Sequence, residues 1–321
     1  MLNVIIPVYN SQETLPDALA SLVAQTQKRF WVTIVADGDG VDYDPLIARY
    51  KLLGLHITFI KLQSNVGPGL ARQAALDADI NGMFDYVSFL DSDDMFYPRA
   101  VEVLYKNAKK NLADLVFTDF VVEREHKDPI FLKSNEMPCQ WLHGKAYRTQ
   151  YLRDIGLRFP MLSSDEDSYF NLVAHNSTKK KFYIGEQTYL WRNNKNSITR
   201  SEEDGEFFKK DFKNYVWSQK HGLIDIVKAT GELNPRLCAM TLNHIYQTVM
   251  RARHFKLDYE SVENDLWELW EVPEIVKTAD DIDFWTTLED KVKACTMVGE
   301  DFYFFKMRFI DWFNQVIRRL G

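Results

Sequence analysis

Cysteine is scarce in this chain, with three among 321 residues. Cys139, Cys238 and Cys295 are far apart and odd in number, so they make neither a disulfide framework nor a zinc-type spacing. A reducing compartment suits such a chain. Long apolar runs are also missing. No stretch approaches the roughly 20 residues needed to cross a bilayer. The opening MLNVIIPVYN has no basic region and only a short apolar core, which is unlike a signal peptide. The expected location is therefore cytoplasmic. Basic charge is not in excess either. A net charge of −7 provides no global field for nucleic acid, although it leaves room for a local basic groove. Repeats and low-complexity tracts are absent.

What remains is the profile of a soluble protein, 46% hydrophobic and 26% charged. The length exceeds one minimal domain and points to a large domain with an appendage. The first half alternates strand-like and helix-like segments. Strand patterns fall at Asn3–Val8, Trp31–Val35, His56–Leu62, Tyr86–Leu90 and Leu115–Val122. Helical spacing falls between them at Leu15–Gln25, Pro45–Leu53, Leu70–Ala78 and Pro98–Asn111. Strict alternation implies a parallel sheet covered by helices on both faces. Glu123–Tyr147 reads as loops with a hairpin. A helix is expected from Asp165, and short strands at Lys181–Ile184 and Gln187–Trp191. Beyond about residue 205 only helices are expected, one of them capped by Asn234 with Pro235 in its first turn. The expected division is a catalytic α/β domain over 1–205 and a helical region over 206–321, with the boundary in Ser201–Glu206.

Ligands in such sheets bind at the carboxyl ends of the strands. Tyr9-Asn10, Asp37–Asp42, the segment NVGPG and Asp91–Asp94 all follow strands, so one rim gathers them. The densest cluster is DYVSFLDSDD, where a buried strand runs into Asp91, Asp93 and Asp94. Massed carboxylates repel one another and are costly to desolvate unless a cation neutralises them. A hard divalent ion with oxygen ligands, manganese or magnesium, answers that need. The alternative is a solvated acidic turn that caps the next helix.

Taken in order, these pieces resemble the inverting glycosyltransferases of family 2 with the GT-A fold. VIIPVYN at Val4–Asn10, Ser21 and Gln25 in the first helix, and ADGD at Ala36–Asp39 match successive family motifs. So do Asn65, Gly67, Ala71 and Arg72, then Asp91-Ser92-Asp93, Glu166-Asp167, Trp191-Arg192 and Ser197-Ile198-Thr199. The resemblance covers about residues 3–200. It implies a mixed, mostly parallel α/β sheet flanked by helices, and metal-dependent transfer of a sugar from a nucleotide-diphosphate donor, a UDP-sugar, to a hydroxyl.

The resemblance also implies roles. Pro7 and Tyr9 line the nucleobase pocket, and Asp37 accepts a hydrogen bond from a uracil-like N–H. Asn65 and Ser92 belong to the same nucleotide-sugar site. Asp91 meets the ribose or the metal's water shell, and Asp93 ligates the metal together with Asp91. Asp167 is the general base, and Glu166 orients it or holds the acceptor; the alternative is a helix N-terminus with favourably placed acidic residues. Arg72 and Arg192 are candidate phosphate partners, the alternative for each being a surface or salt-bridge arginine. His143, in WLHGKAY, is a candidate neighbour of the acceptor or the metal, but a lone histidine is more often structural, so it is given no catalytic part. Ala36 and Asp39 depart from the usual DDGS, and Gln73 stands where Asn is common after the arginine. Each departure bears on nucleotide contacts.

Two other readings compete. A sugar nucleotidylyltransferase carries an N-terminal Gly-rich loop with Arg and Lys, where VYNSQETL stands here. A non-catalytic nucleotide-sugar-binding scaffold has no need for Asp91, Asp93 and Asp167. The acceptor is open among glycan, lipid-linked and other hydroxyls, and nucleic acid is disfavoured. The segment Gly299–Leu320 has a broad apolar face with Phe302, Phe305, Phe309, Trp312 and Phe313, and basic residues elsewhere. Packing within the protein or against a second copy is the first expectation for it, and peripheral membrane contact the second. Trp267, Trp270 and Trp285 are candidates for stacking or for the core.

Overall fold

The computed structural model describes residues 1–79, 82–125, 127–135, 141–194, 206–278, 281–284, 286–287 and 311. The chain divides into two compact units, Met1–Ser201 and Glu202–Gly321.

The first unit opens with β1 (Leu2–Val8), α1 (Leu15–Val23), β2 (Phe30–Ala36), α2 (Asp44–Leu52), β3 (Ile57–Lys61), α3 (Pro68–Ala78) and β4 (Tyr86–Phe89). Every residue of β1 is buried, as expected for a parallel strand covered on both faces. Pro7 is tolerated within it for a local reason. Ile5 faces β4 and accepts from Leu90 N–H, and the pairing with β4 stops at Ile5. Pro7, two residues on, points the same way past the end of β4, so its missing N–H leaves no ladder bond unmade.

β5 (Met95–Phe96), α4 (Ala100–Asn111), β6 (Leu115–Arg124), β7 (Lys127–Leu132), β8 (Lys145–Arg148), α5 (Thr149–Asp154), α6 (Glu166–Asn176) and β9 (Lys181–Trp191) complete the unit. The sheet order is β3-β2-β1-β4-β8-β6-β9-β5, with β7 on β6. β1, β2, β3 and β4 are parallel neighbours, and β9 runs parallel to β6. β8 is antiparallel to both β4 and β6. The sheet is thus mixed and mostly parallel by ladder length. Strand order reverses beside β1 and β4, the switch point where open α/β sheets bind ligands.

The middle segment holds more order than its sequence suggests. β6 and β7 form the hairpin, and β8 enters the sheet between β4 and β6. The two short strands expected near residue 185 are one strand, β9, whose pairing with β6 shifts register around Asp119. The core beneath the parallel half is built from Val4, Ile6, Leu19, Leu22, Val32 and Ile34 with their neighbours.

The second unit contains α7 (Glu206–Thr230), α8 (Pro235–His254), α9 (Glu260–Asp265), a 3₁₀ turn at Leu266–Glu271 and α10 (Pro273–Thr278). Asn234 caps α8 as expected, its side chain accepting from Leu237 N–H at 3.1 Å with Pro235 following. Leu223, Ala239, Leu242, Ile245, Val249 and Leu269 are buried in this unit. No helix among the described residues is long and apolar enough to cross a membrane. Gly299–Leu320, Asp311 excepted, and the side chains of Trp267, Trp270 and Trp285 lie outside the described residues.

Candidate active site

Two aspartates, Asp37 buried and Asp39 half-buried, anchor the rim over β1, β2 and β3. Asp37 is 3% exposed and accepts from the N–H groups of Val66 and Gly67 at 2.8 and 2.9 Å. Both carboxylate oxygens therefore hold the turn after β3, where Asn65 Oδ1 also accepts from Gly67 N–H. Burial raises the Asp37 carboxyl above its usual range, and the two amides offset only part of that. Gly38 between the anchors has φ +68, and a Cβ there would sit 2.2 Å from the Ser64 carbonyl carbon. Only glycine fits.

The second anchor is Asp39, one of the departures from the family pattern. Its Oδ2 accepts from Asn10 N–H and from the Tyr43 hydroxyl, both at 2.7 Å. Tyr43 Oη accepts in turn from Ser11 N–H at 2.9 Å. Asp39 thus ties the turns after β1 and β2 together. Burial works against its charge, but these hydrogen bonds outweigh burial and hold its carboxyl low. Tyr9 stands above this pair, 51% exposed, with Pro7 buried in the strand behind it.

The DSDD turn follows β4. Asp91 Oδ1 accepts from Arg72 Nη2 at 2.6 Å, and Arg72 Nη1 donates to Glu166 Oε1 at 3.0 Å. Arg72 is 5% exposed. It comes from α3, Asp91 from the end of β4 and Glu166 from the start of α6, so one guanidinium joins three elements. Gly69 makes room for this: a Cβ there would lie 2.5 Å from Glu166 Cγ. Helix α6 begins after Asp165 in the left-handed region, φ 63. Asp167, half-buried, follows Glu166, and its Oδ1 accepts from Ser168 N–H at 2.8 Å.

The remaining groups of the turn are held from both ends of the sheet. Ser92 Oγ lies 2.8 Å from Ser11 Oγ. Asp93 Oδ2 accepts from Asn194 Nδ2 at 2.9 Å. Asp94 is 1% exposed; it accepts from the Tyr189 hydroxyl at 2.6 Å and from Arg192 N–H at 2.8 Å. Arg192 Nη1 pairs with Asp17 of α1 at 2.7 Å. Both arginines expected to meet phosphate thus face carboxylates. Ser197, Ile198 and Thr199 lie outside the described residues.

The carboxyls of the site are pushed apart in pKa. Burial opposes the charge of Asp91, but Arg72 and then His143 overcome it and hold Asp91 well below the usual range. Burial and the negative charge of Asp91 push Asp93 and Asp94 up. Glu166 is pushed up to about 7, by burial first and then by Asp167. Arg72 stays charged and pulls Glu166 down, but burial and the negative charges of Asp167 and Asp91 outweigh it.

Asp91, Asp94 and His143 come together, their ligand atoms all within 4.8 Å of one another. Two carboxylates and an imidazole make a donor set that fits a divalent cation. Asp91 was expected in such a set. Asp93, the other expected ligand, is not among these three, which are completed by Asp94 and His143. The sequence signal for His143 was faint: a lone histidine before Gly144, a glycine with φ +64 packed against Thr118.

A profile of the glycosyl transferase family 2 matches residues 3–163. Glycosyltransferase GlyA of Streptococcus pneumoniae is 26% identical over 253 residues, which are 70% of this chain and 33% of that protein. The Staphylococcus aureus poly(ribitol-phosphate) beta-N-acetylglucosaminyltransferase TarP is 26% identical over 261 residues, 79% of this chain and 73% of TarP. The chain spans about a third of the length of the pneumococcal relative. A crystal structure of S. aureus TarS 1–349 in complex with UDP-GlcNAc superposes with a TM-score of 0.67 at 20% identity, covering 92% of this chain and 93% of that one. The likeness establishes the GT-A type of fold.

Proposed function

The chain belongs to glycosyl transferase family 2, and from that premise we propose that it moves a sugar from a UDP-sugar to a hydroxyl acceptor with inversion. The observation that carries this reading is the Arg72 bridge, one guanidinium hydrogen-bonded to Asp91 of the DSDD turn and to Glu166 beside Asp167. In this reading residues 1–205 form the catalytic domain, and 206–321 a helical region that packs against a second copy or meets a membrane surface. The likeness to a protein crystallised with UDP-GlcNAc supports a uridine donor.

In this reading the nucleobase lies over Pro7 and Tyr9, against the turns that Asp37 and Asn65 hold. Ser92 and Asp91 face the ribose and diphosphate. A divalent cation bound at the DSDD turn supplies Lewis-acid stabilisation to the departing diphosphate. Arg72 acts by positioning Asp91 and Glu166, and Arg192 by holding Asp94. Asp167 takes the proton of the attacking hydroxyl, and a carboxylate fixed at a helix start is well oriented for that. Glu166 sets the helix start through Arg72. The acceptor is a hydroxyl of a glycan, a lipid-linked sugar or another compound, met in the cytoplasm.

Calorimetric titration with UDP, UDP-glucose and UDP-N-acetylglucosamine, with manganese present, tests the reading. Binding of UDP and tighter binding of one UDP-sugar are expected. Indifference to all three would overturn it.

A further inference from the structure

The geometry points to His143 as a protein ligand of the divalent cation, acting with Asp91 and Asp94 and resting on the transfer reading above. His143 Nε2 lies 3.7 Å from Asp91 Oδ2 and 3.9 Å from Asp94 Oδ2. Both distances are too long for a hydrogen bond. The side chain is only 7% exposed, and its other nitrogen, Nδ1, is buried without a hydrogen-bond partner. Burying an imidazole costs free energy unless its nitrogens find partners; a cation between Nε2 and the two carboxylates is a partner for Nε2, while Nδ1 is without one in either case. A cation about 2.1 Å from each ligand atom requires those atoms to lie within roughly 4.2 Å of one another. Both imidazole–carboxylate distances satisfy that.

One residue orients two of the three ligands. The Tyr189 ring stacks on His143 with centroids 4.3 Å apart and planes 16° apart. Its hydroxyl donates to Asp94 at 2.6 Å. Arg192 N–H holds the other Asp94 oxygen. Phe120 and Trp191 set their rings at about right angles and at 63° to the imidazole, 5.2 and 5.1 Å away. Outer partners of this kind fix the aim of metal ligands. The chemical consequence is selectivity: imidazole suits transition metals, whereas magnesium prefers an all-oxygen shell. An imidazole in the shell therefore shifts the preference away from magnesium and toward transition metals, with manganese the ion used to test it.

The test uses the full chain without nucleotide, titrated with manganese chloride and followed by electron paramagnetic resonance. Pulsed measurements then look for ¹⁴N coupling from a bound imidazole. The wild type is expected to show that coupling. His143→Gln is expected to lose it, and to bind manganese at least about tenfold more weakly with magnesium affected less. Bound manganese without ¹⁴N coupling in the wild type overturns the inference, and so does coupling that survives in His143→Gln. If His143→Gln fails to fold, the wild-type spectrum alone decides. UDP binding measured in parallel separates this inference from the transfer reading: ¹⁴N coupling without any UDP affinity would sink the latter and leave His143 a ligand.

Discussion

Asp91 and Glu166 are held by the two terminal nitrogens of one buried guanidinium, at 2.6 and 3.0 Å from Arg72. Removing the cation from such an arrangement leaves two carboxylates with no compensating charge. Arg72→Met should lower the unfolding free energy of the first unit by about 3–5 kcal/mol, measured by urea denaturation. Arg72→Lys, whose single ammonium cannot span both partners, should fall between. Wild-type stability in Arg72→Met would show that the bridge carries no weight.

Gly69 is the space into which Glu166 folds. In Gly69→Ala the new methyl meets Glu166 Cγ at 2.5 Å. The gain in helix propensity, about 1 kcal/mol, works against a clash that typically costs 1–3 kcal/mol. Glu166 cannot retreat without leaving Arg72, so a net loss of stability is expected. Adding Glu166→Ala should recover much of the clash. Thermal unfolding of the single and double variants measures this, and additive losses would contradict it.

Glu166 also gives the protein a pH signature. Its folded-state carboxyl titrates near 7, above the ordinary 4.5, because burial and Asp167 disfavour its charge. A carboxyl whose folded pKa is raised contributes stability below the unfolded value. That stability is lost as pH rises through the folded value. The first unit should therefore lose on the order of 2–3 kcal/mol between pH 4.5 and 7 from this group. Glu166→Gln should flatten that slope in denaturant titrations; an unchanged slope would remove Glu166 from the account.

The rim was legible in the sequence because β1 to β4 have clear periodicities and each ends in polar residues. Short elements were not. β5 has two residues and α5 six, too few for a period to register. β9 read as two strands because Gly185 and Glu186 interrupt its alternation, where the pairing with β6 also slips. The site itself was only half visible. Asp91, Glu166 and Asp167 stood out as carboxylates at element ends. That Arg72 joins two of them depends on contacts 19 and 94 residues apart, which no local pattern encodes. The same holds for Asp37 and Asp39: their spacing marks a turn, but only the fold shows that they spend their oxygens on neighbouring turns. His143 enters the rim because β8 inserts beside β4, a pairing absent from any local signal.

The most direct test is donor turnover by Asp167→Asn. The variant keeps the size of the side chain and removes the proton acceptor. UDP release from the UDP-sugar that binds best should fall by about 10²–10⁴-fold, while calorimetry finds the donor bound as tightly as by the wild type. Turnover at the wild-type rate with normal donor binding would contradict the assignment of Asp167 as the base.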